Sequence, residues 1–366
     1  MQIIRRFSAA LAMVLSMYIF MASPMYAYVE RLTRQRIEDG RMKNVSVLDG
    51  AEDSAGTPDA EETAPPAAES EELRAAMAEA SPVTAPAACA QDAPAAETDI
   101  PALSVTVSDS GEKEIRETTI EGGLAIKNQT GYKTDIGELL LNGPGLTLPA
   151  GQPQILVIHT HSSEAYTPAG LDKYEASDDS RTEDTQYNIV RVGDELCAIF
   201  EGAGLNVIHD RGIYDYPSYT GSYTRSGQAI EDWLTKYPSI RMVIDVHRDA
   251  LGENGTVYKT MAEEDGVCAS QVMILIGTDE SGLAHSAWRG NLALAMYLQQ
   301  AVSTAHPTLM RPVQLVPQRY NQHLTPGSMI LEVGSSGNTL QEALAAVRLF
   351  AQPAAGALTA LVEQGG

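Results

Sequence analysis

The chain has 366 residues, a formal net charge of −23 and 44% hydrophobic residues. That length suits one large domain or two ordinary ones. The acidic balance argues against a nucleic-acid binder, because phosphate contacts need Lys and Arg. Three widely spaced cysteines, Cys89, Cys197 and Cys268, form no CxxC pair. This argues against a cysteine zinc site, and their odd number argues against a disulfide framework.

In chain order, Arg5 and Arg6 precede an apolar run from Phe7 to about Ala22, with Ser23, Pro24 and Met25 behind it. A basic flank, an apolar core and small residues make the layout of an export signal. Carried to Tyr28, the run reaches roughly 20 residues, enough to cross a bilayer. Residues 1–28 therefore read as either a cleaved signal peptide or a signal anchor. The basic flank comes first, which sends the remainder out of the cytoplasm. Residues 29–100 read as a disordered linker. Between Ala51 and Ile100 a dozen acids face the single Arg74 with almost no aromatic residue, so no core can form there. About 50 coil residues give such a spacer an r.m.s. span of about 40 Å. Residues 101–150 carry short β-like runs at Leu103–Val107, Gly123–Ile126 and Glu138–Leu141, then the turn Gly143-Pro144-Gly145. They are expected to form a small β-rich collar.

Residues 151–366 alternate strand and helix. Ile155-Leu156-Val157-Ile158 is a buried strand that stops on His159-Thr160-His161, with Glu164 three residues on. A polar loop from Thr167 to Glu183 follows. Ile189, Val192, Leu196, Ile199 and Phe200 recur at helical spacing. Leu205–Ile208 is a strand, the segment Tyr214 to Tyr223 is a tyrosine-rich loop, and a second helix carries Ile230, Trp233 and Leu234. Met242-Val243-Ile244-Asp245-Val246 repeats the opening pattern and runs into His247. Val272–Gly277 is a further strand, followed by a helix with Trp288, Leu292, Ala295, Met296 and Val302 on one face. Ser328–Gly334 is a strand with Glu332 near its end. Thr339-Leu340-Gln341-Glu342 is a capping box that starts the last helix. Alternation of this kind predicts an α/β fold, a mostly parallel sheet with helices on both faces. In parallel strands the carboxyl ends lie on one edge, so His159, His161, His247 and Glu332 converge there.

Two histidines and a carboxylate suffice for a catalytic zinc, and a further carboxylate can carry the proton. The residues alone favour a metal hydrolase, with a non-catalytic α/β binding domain as the rival reading. His209, His285, His306 and His323 stand outside the strand-end motifs.

Several stretches resemble the stage II sporulation protein P family. They are Ile158-His159-Thr160-His161-Ser162-Ser163-Glu164-Ala165-Tyr166, Asn188-Ile189-Val190-Arg191-Val192-Gly193, Asp245-Val246-His247-Arg248-Asp249, Tyr320-Asn321-Gln322 and Leu331-Glu332-Val333-Gly334-Ser335. The resemblance spans about residues 120 to 352 and implies a membrane-anchored, sporulation-specific peptidoglycan hydrolase similar to zinc-dependent N-acetylmuramoyl-L-alanine amidases. It implies an amidase-like fold, a Zn2+ cofactor and action in forespore engulfment. The catalytic domain would lie outside the cytoplasm, in the intermembrane space of the sporulating cell, beside a stage II sporulation protein D-like glycan hydrolase. It implies Glu332 as general base and His247 as a metal ligand. The first His is His159 or His161, and the acidic ligand is Asp184, ahead of Asn188-Ile189, or alternatively Glu164. Arg248 has no amidase counterpart and is expected to act on substrate or orient His247. The amide between N-acetylmuramic acid and L-alanine is the expected target, with a peptide endopeptidase or a non-catalytic wall-binding scaffold as alternatives.

Overall fold

A computed structural model describes residues 114–363 except 121, 171–173, 175, 178–179, 254–255 and 265. The expected export segment at 1–28, the linker at 29–100 and the first part of the collar lie outside the described residues. Among the described residues no helix is long and apolar enough to cross a membrane.

The centre is a seven-stranded sheet. Its strands are β2 (Ile126–Asn128), β3 (Ile155–Ile158), β4 (Val207–His209), β5 (Met242–Asp249), β10 (Val272–Gly277), β11 (Val313–Val316) and β12 (Met329–Ser335), in the order β2-β11-β10-β12-β5-β3-β4. All neighbours are parallel except β10 and β12, which run antiparallel. The sheet is thus two parallel blocks facing opposite ways. β12, β5, β3 and β4 share one direction, so the three strands expected to carry chemistry do end on one edge. β1 (Glu114–Thr118) pairs with β7 (Thr256–Thr260), and β7 with β6 (Gly252–Glu253), in a small side sheet. β8 (Ala262–Glu264) and β9 (Val267–Ala269) form a hairpin.

The expected collar is only partly β. β2 joins the main sheet beside β11. Leu139 and its neighbours form a helix, α1 (Ile136–Asn142), because Asp135 caps its N-terminus by accepting the Glu138 amide and Gly143 ends it.

The four long helices among the described residues divide unequally. α2 (Ile189–Gly202), α4 (Trp288–Ala305) and α5 (Leu340–Thr359) pack on one face, in a core that also takes Ile155, Val157, Met242, Ile244, Val246, Leu331 and Val333 from the strands. α3 (Ser222–Lys236) lies on the other, where Ile230 meets Leu156, Ile158 and Val243. Strand side chains alternate between faces, so β3 and β5 feed both layers. Local signals start the helices where expected. Asn188 accepts the Val190 amide to cap α2, and Thr339 and Glu342 complete the capping box of α5. Cys197 is free and buried in α2. Cys268 is disulfide-bonded, which the odd cysteine count did not suggest.

Candidate metal centre

On β5 the residues Val243, Asp245 and His247 point to the α3 face, while Ile244 and Val246 point to the thick apolar core. On β12, Leu331 and Val333 face that same core, so Glu332 between them faces the α3 side. The register sets Glu332 directly beside His247. A bulge follows between Glu332 and Ser335, where Gly334 takes φ 70° and approaches Ser270 closely.

The third contributor is the turn after β3. The Glu164 amide donates to the His161 carbonyl at 3.0 Å, which folds His161 and Glu164 onto one another. Glu164 Oε1 lies 3.5 Å from His161 Nδ1, and Glu164 Oε2 lies 3.5 Å from His247 Nδ1. The two imidazole rings stand 5.0 Å apart at 75°. His161, Glu164 and His247 are all buried, and each offers a donor atom within 4.8 Å of the others'. His161 Nε2 is buried with no hydrogen-bond partner. An orphaned imidazole nitrogen beside a second imidazole and a carboxylate fits a bound cation, and two His with one Glu is a donor set of catalytic zinc.

Charges around the group are strongly coupled. Burial acts against ionisation of Glu164, but Arg248, His161 and His247 outweigh it and hold the carboxyl well below its usual range. Burial also disfavours the cation at His247, yet Asp245, Glu164 and Glu332 overcome this and raise it to about 10. His161 is lowered, chiefly by burial, against the pull of Glu164. Glu332 is raised to about 8 by burial and the like charge of Asp249, with His247 opposing. Its Oε2 is shielded and unpartnered. Asp249 in turn pairs with the fully buried Arg311 at 2.9 Å.

Three expected site residues do not join the group. His159 continues the alternation of β3 onto the thick face. There its Nδ1 meets the Val246 carbonyl at 3.0 Å and its Nε2 meets His209 Nε2 at 2.9 Å. Helix α2 passes so close that a Cβ at Gly193 would sit 2.5 Å from His159 Nε2. Asp184 is exposed, and its carboxylate accepts the Gln186 amide in the turn before α2. The acidic member of the group is the alternative, Glu164. Arg248 points away from His247. Its guanidinium is spent on the Ala165 carbonyl at 3.0 Å and the Ser180 carbonyl at 2.9 Å, while its amide donates to Glu164 Oε2 at 3.0 Å. Arg248 therefore builds the loop that carries Glu164 and does not present a free cation to substrate.

Other residues shape the site without having stood out in the sequence. Tyr219 stacks on His161 at 4.6 Å, and Arg181 lies over the same tyrosine ring. Arg181 pairs with Asp215, which also accepts the amide and hydroxyl of Ser163. The tyrosine loop is thereby fixed against the turn that supplies His161 and Glu164.

The profile of the family described as Stage II sporulation protein P matches residues 63–354. The Stage II sporulation protein P of Bacillus subtilis (strain 168) is 25% identical over 203 residues, 51% of this chain and 47% of that protein. The match thus spans about half of that relative's length. Among solved structures, the N-acetylmuramoyl-L-alanine amidase AmiC2 of Nostoc punctiforme aligns with a TM-score of 0.33 and 13% identity, over 58% of this chain and 96% of that one. Ami1 from Mycobacterium smegmatis aligns at 0.34 and 14%, over 58% and 98%. The CwlD amidase from Clostridioides difficile, solved with the GerS lipoprotein, aligns at 0.33 and 12%, over 57% and 99%.

Proposed function

Because the chain belongs to the stage II sporulation protein P family, we propose that it is a zinc-dependent peptidoglycan hydrolase that cuts the amide between N-acetylmuramic acid and L-alanine. The observation that carries this reading is the meeting of His161, Glu164 and His247 in one buried group, with Glu332 beside His247 in the register of β12 and β5. His161, Glu164 and His247 would hold the ion. Bound zinc supplies Lewis acidity toward a carbonyl oxygen and makes water a better nucleophile near neutral pH. Glu332 takes the proton from the attacking water and returns it to the leaving amine nitrogen. His161 is kept from turning by the ring of Tyr219.

In the same proposal residues 1–28 anchor the chain in a membrane, and the acidic linker lets the hydrolase reach the wall from there. The work is done outside the cytoplasm during engulfment, beside a stage II sporulation protein D-like glycan hydrolase. The disulfide at Cys268 is in keeping with an oxidising compartment.

The test is zinc content and mass analysis of digested peptidoglycan, with the full chain purified in detergent. About one zinc per chain and released stem peptides bearing a free L-alanine amine are expected. Cleaved cross-links with intact stem attachment would instead make it an endopeptidase. A metal-free, inactive protein would overturn the enzyme reading in favour of a wall-binding scaffold.

A further inference from the structure

Behind His247 runs a line of polar contacts that the proposed reaction does not use. Asp245 shares the face of His247, and its Oδ1 lies 3.0 Å from His247 Nε2, too bent here for a full hydrogen bond. Asp245 is itself held twice by one residue. Oδ1 accepts the Thr160 amide at 2.8 Å, and Oδ2 accepts the Thr160 hydroxyl at 2.6 Å. Thr160 Oγ1 stands 2.7 Å from Ser226 Oγ on α3. Asn321 Nδ2 donates to that same serine oxygen at 3.1 Å and to the Tyr223 carbonyl at 2.9 Å. Thr160 and Ser226 are fully buried and Asp245 nearly so.

The donors in this line have only one consistent order. Thr160 has a single hydroxyl proton and gives it to the carboxylate. Ser226 then gives its proton to Thr160, the Tyr223 carbonyl at 3.3 Å being its longer alternative. Asn321 gives an amide proton to Ser226. The protons of this line point toward Asp245, whose two oxygens both act as acceptors. An acceptor at that place demands an N–H on His247 Nε2. The other ring nitrogen, Nδ1, is the one that faces Glu164.

We propose that Asp245, fixed by Thr160, Ser226 and Asn321, is a positioning residue that keeps the proton of His247 on Nε2 and presents Nδ1 to the metal. This rests on the metal centre read above and gives Asp245 the orienting role that was one of two expectations for Arg248. Carboxylates behind metal-bound imidazoles typically contribute 10–100-fold in metal affinity. The experiment compares zinc affinity, by competition with a chromophoric chelator, in the full chain and in Asp245→Asn, Thr160→Val and Thr160→Ser. Metal-free Tm is measured beside each, and 15N NMR of the zinc-loaded protein reports which nitrogen of His247 carries the proton.

Asp245→Asn is expected to weaken zinc by about 10–100-fold, because the new amide can offer a donor where only an acceptor suits His247. Thr160→Val should weaken zinc in the same direction, while Thr160→Ser, which keeps the hydroxyl, stays near wild type. Zinc binding that is unchanged in Asp245→Asn, or a proton found on Nδ1, overturns the positioning role and leaves the metal centre standing. A lowered Tm with intact zinc affinity does the same, since that is the mark of a purely structural residue. A wild type that takes no zinc overturns the metal centre and this inference with it.

Discussion

The two faces of the central sheet are built from the same strands and do opposite work. On one face β3, β5 and β12 present Val157, Ile244, Val246, Leu331 and Val333 to α2, α4 and α5, all buried in one apolar core. On the other face the same strands present Leu156, Val243 and Ile330 at one end, and Asp245, His247 and Glu332 at the other. Among the described residues, α3 is the one long helix that covers that side. Fully burying each Val, Leu or Ile contributes about 1.5–3 kcal/mol, so the thick face can hold the strands rigid while the thin face tolerates buried charge. A metal centre needs this division. Its ligands must be fixed by something other than their own attraction, because burying charged and polar groups together costs desolvation that their pairing need not repay.

Adjacent residues on β12 separate the two jobs. Glu332→Gln keeps the shape of the side chain but removes the proton carrier, and activity should fall about 10²–10⁴-fold while zinc content and Tm hold. Leu331→Ala, one residue away on the opposite face, should cost about 2–5 kcal/mol of stability, read by urea unfolding. The folded fraction should keep wild-type zinc affinity. If Leu331→Ala also weakens zinc strongly, the faces are coupled and the division drawn here is wrong.

The smallest effect is on pH dependence without metal. Glu332 is raised from 4.5 to about 8 and His247 from 6.5 to about 10. Both groups bind their proton more tightly in the fold than in the unfolded chain, so their contributions are lost as pH rises. Above about pH 7.5 the histidines whose values are lowered, His159, His161, His209, His285 and His323, are nearly neutral in the folded and the unfolded chain alike. In EDTA, Tm should therefore decline from about pH 7.5 to 8.5, and Glu332→Gln should make the decline shallower. A Tm that rises over that interval would contradict the burial of Glu332 on the thin face.

Much of the fold was legible because the strands are short, apolar and bounded, and because α2 and α5 begin at clear caps. Glu332 and His247 were legible for the same reason, since each ends an apolar run. The choice between His159 and His161 was less so. Extending the alternation of β3 by one residue puts His159 on the thick face with Ile155 and Val157, and that parity was readable. What frees His161 is the turn closed by Glu164, a local hydrogen bond with no periodicity to announce it. Asp184 sat four residues before Asn188, but exposure in a turn keeps it from the group. Arg248 was misread because adjacency to His247 in sequence means opposite faces in a strand. The antiparallel pairing of β10 with β12 had no sequence signal, because buried strands of either direction carry the same apolar run.

β12 is the last strand in the chain, yet it lies in the middle of the sheet, between β10 and β5. Without β12 the sheet would be left with two unpaired edges, at β10 and β5, and the docking of β12 closes that gap. That same event delivers Glu332 to His247. On the proposed reading, a chain interrupted before this strand would carry the three ligand side chains and still lack its proton carrier. If the chain is the hydrolase proposed, completion of the fold and the onset of activity become one step, set by the order of the residues themselves.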